Sequence, residues 1–301
     1  MTRWLSRYAI VVALVLECLF LALATDSFFS ATNLSNVLRQ NAFTAILAAG
    51  MTFVILTAGI DLSVGSVVAL SGVLCADLLV RGVPLPLAAA AGLLVGLVTG
   101  AINGAAVTLL RIPAFIATLA TMLVVRGLAF MYTDARTISG LPASFAVLSS
   151  GAMTAAMVAV IFLLSWFALT RTAFGRHVYA VGGNESAAWL SGIRVARVRL
   201  AVYSICGMSA GMAGVMVASR LNAGYPRAGE YYELDAIAAV VVGGTSLFGG
   251  SGSVWSALAG AFFIGILNNG LNLYRVSPYE QLVVKGVVLL AAASLDRWRS
   301  R

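Results

Sequence analysis

The chain has 301 residues, 61% of them apolar and only 10% charged, and a mean hydropathy of +0.98. A soluble domain is about 45–50% apolar and about 25% charged, so the composition excludes one and specifies a polytopic helical membrane protein. The net charge of +8 does not indicate nucleic acid, because the arginines sit in short loops between apolar runs, where the positive-inside rule accounts for them.

Ten spans are predicted in chain order, at about 8–24, 42–60, 62–80, 86–110, 114–132, 151–169, 199–219, 235–247, 254–274 and 279–296. Each is near the roughly 20 residues that cross a bilayer. None alternates in polarity as a membrane β-barrel strand does. They fill the chain as one transmembrane domain, 1–301, with no room for a soluble one. Arg3 and Arg7 before the first run fit a removable signal peptide or an uncleaved span. The spans that follow at once favour the second. The apolar tract from Ala42 to Leu79 is too long for one crossing and must turn near its first charge, Asp61. Segment 86–110 carries Gly92, Gly96, Gly100 and Gly104 at four-residue spacing. That ridge lets a helix approach closely, within the chain or against another subunit. The eighth span is short and ends in a glycine run from Gly243 to Gly250, the mark of a broken or partial helix. This run loosely echoes residues 59–67, and transporters often place broken helices at matching positions of two repeats.

Arginines favour one side of the membrane: Arg3, Arg7, Arg111, Arg171, Arg176, Arg194, Arg197, Arg199, Arg297, Arg299 and Arg301. An even span count puts both termini on that cytoplasmic side. Cys18, Cys75 and Cys206 lie singly in apolar segments, without disulfide or metal spacing, and read as small core residues. His177 is the only histidine, so a His triad or a His-rich metal site is excluded and no metal is expected. The single lysine, Lys285, precedes Gly286. A phosphate loop needs Gly-Lys-Ser/Thr, so energy must come from a partner or an ion gradient.

The longest inner loop, Arg171 to Arg199, contains a short predicted helix. Asn184 is its N-cap, Glu185 sits in the first turn, Ala187 and Ala188 are small, and Gly192 ends it after Ser191. With Gly182 and Gly183 before it, this reads as an ordinary loop helix or as a docking helix for a cytoplasmic partner. Residues 56–66, 111–119, 174–193 and 233–250 together resemble the permease subunit of a bacterial ribose-type ABC sugar importer, over essentially the whole chain. The beginning lacks the longer cytoplasmic lead that some members carry. The resemblance implies an all-α permease fold in the bacterial inner membrane that is not itself an enzyme. It also implies a second permease subunit (identical or paralogous), a periplasmic sugar-binding protein, and two cytoplasmic subunits that bind ATP and Mg. It makes 183–193 the coupling helix seated in the ATPase.

Polar residues on apolar helices supply the remaining candidates. Asp61, beside Ser63, reads as a helix cap or as a pore or gating group. Asn103, Asn268, Asn269 and Asn272 join helices or meet sugar hydroxyls. Phe115 and Phe248 pack in the core or stack on a sugar. Arg126 should not face lipid unpaired, and Glu17 or Asp77 is its expected structural partner. An ion-coupled secondary transporter is the alternative, with Glu17 and Asp61 as its evident relay. It does not require a docking loop. A membrane enzyme lacks any catalytic constellation. The cargo is left open among small sugars, nucleosides and a signalling sugar.

Overall fold

The computed structural model describes residues 2–299, with side chains from 10 to 294 and at 296. Among them are twelve α-helices: α1 (Thr2–Ala24), α2 (Ala31–Leu56), α3 (Val64–Val80), α4 (Leu85–Thr108), α5 (Ala114–Thr133), α6 (Gly151–Arg171), α7 (Ala173–Gly183), α8 (Glu185–Leu190), α9 (Val195–Leu221), α10 (Tyr232–Val242), α11 (Val254–Leu273) and α12 (Pro278–Arg299). A 3₁₀ segment, Ala143–Ser149, precedes α6. A helix lies within each expected span. Six of them, α2, α4, α5, α6, α9 and α11, are long and apolar enough to cross a membrane. The basic clusters at Arg3 and Arg7 and at Arg297, Arg299 and Arg301 lie outside the described side chains.

Two helices differ from their expectation for local reasons. Helix α2 starts eleven residues before the apolar run, because the Ser30 hydroxyl accepts from the Asn33 amide at 3.2 Å and caps it. Its first turns carry Asn33, Ser35, Asn36, Arg39 and Gln40, which hide a helix from a search for apolar runs. Helix α7, expected as plain loop, is capped by Thr172, whose hydroxyl accepts from Gly175 at 3.2 Å.

Helix α9 is the centre of the bundle. It packs on α4, α3 and α2, and its own glycines face theirs. A Cβ on Gly96 would overlap the Gly207 carbonyl, and one on Gly211 would lie 2.7 Å from that of Gly92. Gly72 meets Gly214 in the same way, and Gly50 meets Ser209. The ridge at Gly92, Gly96, Gly100 and Gly104 is therefore an internal seam, not a subunit contact. Lipid is as apolar as a core, so such close van der Waals approach is what holds membrane helices together. Helices α4, α5 and α6 turn apolar faces outward, including Leu94, Leu123, Val124 and Leu163.

Beyond α9 the chain does not enter the next helix at once. Residues 222–231 run along α3 as a series of turns, with the Ala228 amide donating to the Tyr225 carbonyl and Gly229 and Tyr231 at φ +72° and +68°. Gly224 exchanges backbone hydrogen bonds with Ile138 at 2.8 and 2.9 Å and lies against Val73 and Ala76, whereas Gly229 lies against Gly65 and Val68. Those two sets of contacts lie five to eleven residues apart on α3, about 8–16 Å along its axis. The segment therefore descends deep into the span before α10 begins. Helix α12 holds α10 by two polar contacts. Lys285 pairs with Asp235 at 2.9 Å, and Asp296 accepts from the Leu247 amide at 3.0 Å and the Ser246 hydroxyl at 3.2 Å. Both contacts are eleven residues apart on each strand of chain, so the two helices run parallel in matched register.

Gly100→Val places a side chain on the Tyr203 carbonyl. It should cost at least about 1–3 kcal/mol through overpacking, seen as a lower thermal midpoint in detergent. Gly127→Val, on an open face of α5, should leave that midpoint unchanged.

Candidate functional site

The turn between α2 and α3 is stitched by side chains. Asp61 Oδ1 accepts from the Ser63 amide at 2.9 Å and its hydroxyl at 2.7 Å. From α4, the Asn103 amide reaches Ser63 Oγ at 2.8 Å and Asp61 Oδ1 at 3.3 Å. The Tyr203 and Thr118 hydroxyls donate to the Ile60 carbonyl at 3.3 and 3.4 Å. Asp61, Ser63 and Asn103 are all buried, at 0–1% exposure. They tie α3 to α4, and in this conformation they do not line an open path. The other expected path residues lie apart from them. Asn269 exchanges amide hydrogen bonds with Asn33 at 2.8 and 3.0 Å and joins α11 to α2. Asn268 is half-buried on α11, and Phe115 is exposed on α5. Asn272 accepts from Gln281 at 2.9 Å, and Phe248 is exposed in the glycine loop.

Helix α8 has the local chemistry its sequence implies. Asn184 Oδ1 accepts from the Ala187 amide at 2.9 Å, the Ser191 hydroxyl donates to the Ala187 carbonyl at 2.9 Å, and Gly192 follows at φ +83°. Glu185 pairs with Arg199 through both carboxylate oxygens, at 3.0 and 2.6 Å, and anchors α8 to α9. The seating face differs from the expectation. Ala188 is buried in the chain's own core, while Trp189 and Leu190 are 68% and 76% exposed. Ala188 turns into the core, whereas Ala187, Trp189 and Leu190 face away from it. A six-residue helix is too short for its sequence to reveal which side faces outward. A cavity of about 560 Å³ beside it is lined by Thr57, Ala58 and Gly59, by Arg111, and by Glu185 and Trp189.

Three turns meet behind α8. The Gly250 amide donates to the Leu56 carbonyl at 2.9 Å, and Tyr179 of α7 donates to the Gly252 carbonyl at 3.0 Å. Gly182, at the end of α7, is wedged between Leu56 and Gly250, where a Cβ would overlap the Leu56 carbonyl. Gly249 and Gly250 have φ of +84° and +73°, a conformation that glycine adopts without steric cost. The glycine run thus touches Leu56 and Ala58, just before the stretch it echoes, and α7 touches both Leu56 and the glycine run. Nothing in the sequence pattern pairs Gly182 with either one.

Arg126 does not pair with Glu17 or Asp77. Its Nη1 donates to the Pro226 and Ala228 carbonyls at 2.9 and 2.8 Å, and its nearest acids are Glu230 and Glu233. Asp77 pairs with Arg81 at 2.8 Å and accepts from Tyr132. The Glu17 carboxylate oxygens have no hydrogen-bond partner among the described residues. Carbonyls that a non-helical segment leaves without amide partners need other donors, and the guanidinium supplies them. That demand is invisible until the segment is known not to be a helix.

The structure is a bundle of apolar helices with a polar break at Asp61, a glycine loop and an elbow at Gly182, the architecture of a membrane protein. The chain belongs to the family described as branched-chain amino acid transport system / permease component, which matches residues 33–293. The ribose import permease protein RbsC of Bacillus subtilis is 47% identical over 289 residues, covering 94% of this chain and 90% of the relative. The D-allose transport system permease protein AlsC of Escherichia coli K12 is 41% identical, covering 95% and 90%. The xylose transport system permease protein XylH of the same strain is 41% identical, covering 97% and 92%. No solved structure matches. The protein is a multi-pass inner-membrane permease and is not itself catalytic.

Gly182→Ala should abolish transport by driving a methyl group into the Leu56 carbonyl, at normal membrane abundance. Gly183→Ala, next to it with open space around its Cα, should transport like the wild type. Uptake of radiolabelled solute by cells carrying each variant, with permease levels matched by immunoblot, is the measurement.

Proposed function

We propose that this chain is the pore subunit of an ATP-driven importer that carries a small sugar, a pentose or hexose, from a periplasmic binding protein to the cytoplasm. The observation that carries this reading is the run of ribose, allose and xylose permeases at 41–47% identity over 94–97% of the chain. The ion-coupled alternative needs a carboxylate that solvent reaches, and Asp61 is fully buried, its Oδ1 held by Ser63 and Asn103. In this reading two permease subunits, identical or paralogous, stand on two ATP-binding subunits. The chain is one transmembrane unit crossing ten times, the eighth crossing being residues 222–231 plus α10. Both termini are cytoplasmic, as the arginine excess at residues 171–199 supports.

Coupling passes through 182–192. Gly182 and Gly183 form the elbow, and Asn184, Glu185, Ala187, Ala188, Ser191 and Gly192 build and anchor α8. Trp189 and Leu190 enter the ATPase. Asp61, Ser63 and Asn103 latch the inner end of the path.

Trp189→Asp puts a charge at the docking contact, where desolvating an unpaired carboxylate is costly. It should insert normally, because Trp189 is exposed within the chain. It should lose co-purification of the ATPase and, with it, sugar uptake. Retention of both would place docking elsewhere.

A green fluorescent protein fused after Arg301 should fluoresce, as it does only in the cytoplasm. A dark fusion with an active periplasmic phosphatase at the same site would overturn the ten-crossing topology.

A further inference from the structure

Residues 222–231 pose a problem that the latch, elbow and docking helix do not solve. Non-helical backbone such as these turns is tolerated at membrane depth only where it is buried in protein or lines water. One side of this segment is satisfied: Gly224, Pro226 and Gly229 are buried against α3, and Arg126 takes the Pro226 and Ala228 carbonyls. The other side is open. Tyr225 and Tyr231 are 41% and 50% exposed, and Arg227 and Glu230 are exposed with them.

The depth of this open side follows from its neighbours. Gly224 lies beside Ala76, four residues below the outer end of α3, and Gly229 lies beside Gly65, the second residue of that helix. Gly224 to Gly229 therefore run from about 6–10 Å to about 18–22 Å below that end, and Tyr225, Arg227 and Glu230 lie in or next to that stretch. Charged and phenolic groups there do not face hydrocarbon. The outward faces of α4 and α5, by contrast, are mainly aliphatic, as at Leu94, Val98, Ile102, Leu123, Val124 and Leu128.

We infer that the exposed side of residues 222–231, carried by Tyr225, Arg227, Glu230 and Tyr231, is a wall of the aqueous translocation path and contacts the solute as it passes. The chemistry of the wall fits a neutral polyhydroxylated solute. One cation and one anion give little net charge, a guanidinium and a carboxylate offer donors and acceptors to hydroxyls, and two phenol rings offer apolar faces to C–H surfaces. This rests on the sugar-importer reading for the solute, but not for the path.

The test is accessibility in the assembled transporter. In a background with Cys18, Cys75 and Cys206 replaced by alanine, single cysteines are placed at Tyr225, Glu230, Leu123 and Asn103. Proteoliposomes holding the complete complex are treated with a charged, membrane-impermeant methanethiosulfonate. Tyr225→Cys and Glu230→Cys should react, and Leu123→Cys (lipid-facing) and Asn103→Cys (buried) should not. The path wall is overturned if positions 225 and 230 react no faster than 123. It is equally overturned if they react only with an apolar maleimide, or only after the permease is dispersed to monomers. The role in solute contact is read separately: Glu230→Gln should raise the KM for uptake several-fold with the maximal rate nearly kept, and an unchanged KM refutes it. A wild-type transporter that moves none of ribose, xylose and allose, while 225 and 230 still label, would refute the sugar reading and leave the path wall standing.

Discussion

Backbone-to-backbone contact around α9 is the constraint on which everything else rests. In a bilayer, apolar side chains gain little by leaving lipid for protein, so helices stay together only where they come close enough for dispersion and short dipolar contacts. Gly207, Gly211 and Gly214 let α4 and α3 reach the α9 backbone, and the glycines of α4 and α3 return the approach. Once α3 and α4 are fixed on α9, Asn103 is fixed opposite Ser63, and the turn at Asp61 acquires its hydrogen bonds. The same fixing of α3 gives residues 222–231 a surface of Val68, Val73 and Ala76 to descend along. Position of the functional parts is thus inherited from a seam of residues with almost no side chains.

The sequence made some of this readable and some not, for definite reasons. Helices driven by long apolar runs were legible almost to the residue, as at α3, α4 and α5. So was the capped helix α8, because Asn184, Glu185 and Gly192 act within one or two turns. Whatever depended on orientation was not legible. Ala188 pointed inward and Trp189 outward, and six residues carry too little periodicity to tell. Whatever depended on distant partners was not legible either. Arg126 was visible as a cation that must be compensated, but two carbonyls a hundred residues away compensate it. A search for acids finds Glu17 and Asp77 first. Polar residues in apolar runs attract notice, and Asp61, Ser63 and Asn103 are buried and joined by hydrogen bonds, whereas Tyr225, Arg227, Glu230 and Tyr231 look in sequence like an ordinary loop.

One element links the two ends of the molecule. Helix α10 begins where residues 222–231 end and finishes in the glycine loop that touches Gly182. It has only eleven residues, about 16 Å of helix, and it is held as a rod. Lys285 grips its first turn through Asp235, and Asp296 grips the loop just past its last turn. These grips lie in the same register on a parallel helix, so α10 and α12 move together rather than past each other. A push on α8 reaches α7 across Asn184, then Gly182, then Gly250. From there it has two routes: through the Leu56 carbonyl into the turn that carries Asp61, and through the glycine loop into α10. On the proposed function, the first route bears on the latch at Asp61 and the second on the proposed wall at residues 222–231. A single displacement at the elbow then acts on both together. That is the mechanical requirement for a pore whose inner closure and solute contact must change in step, and glycine at the junction allows the parts to touch without a side chain absorbing the motion.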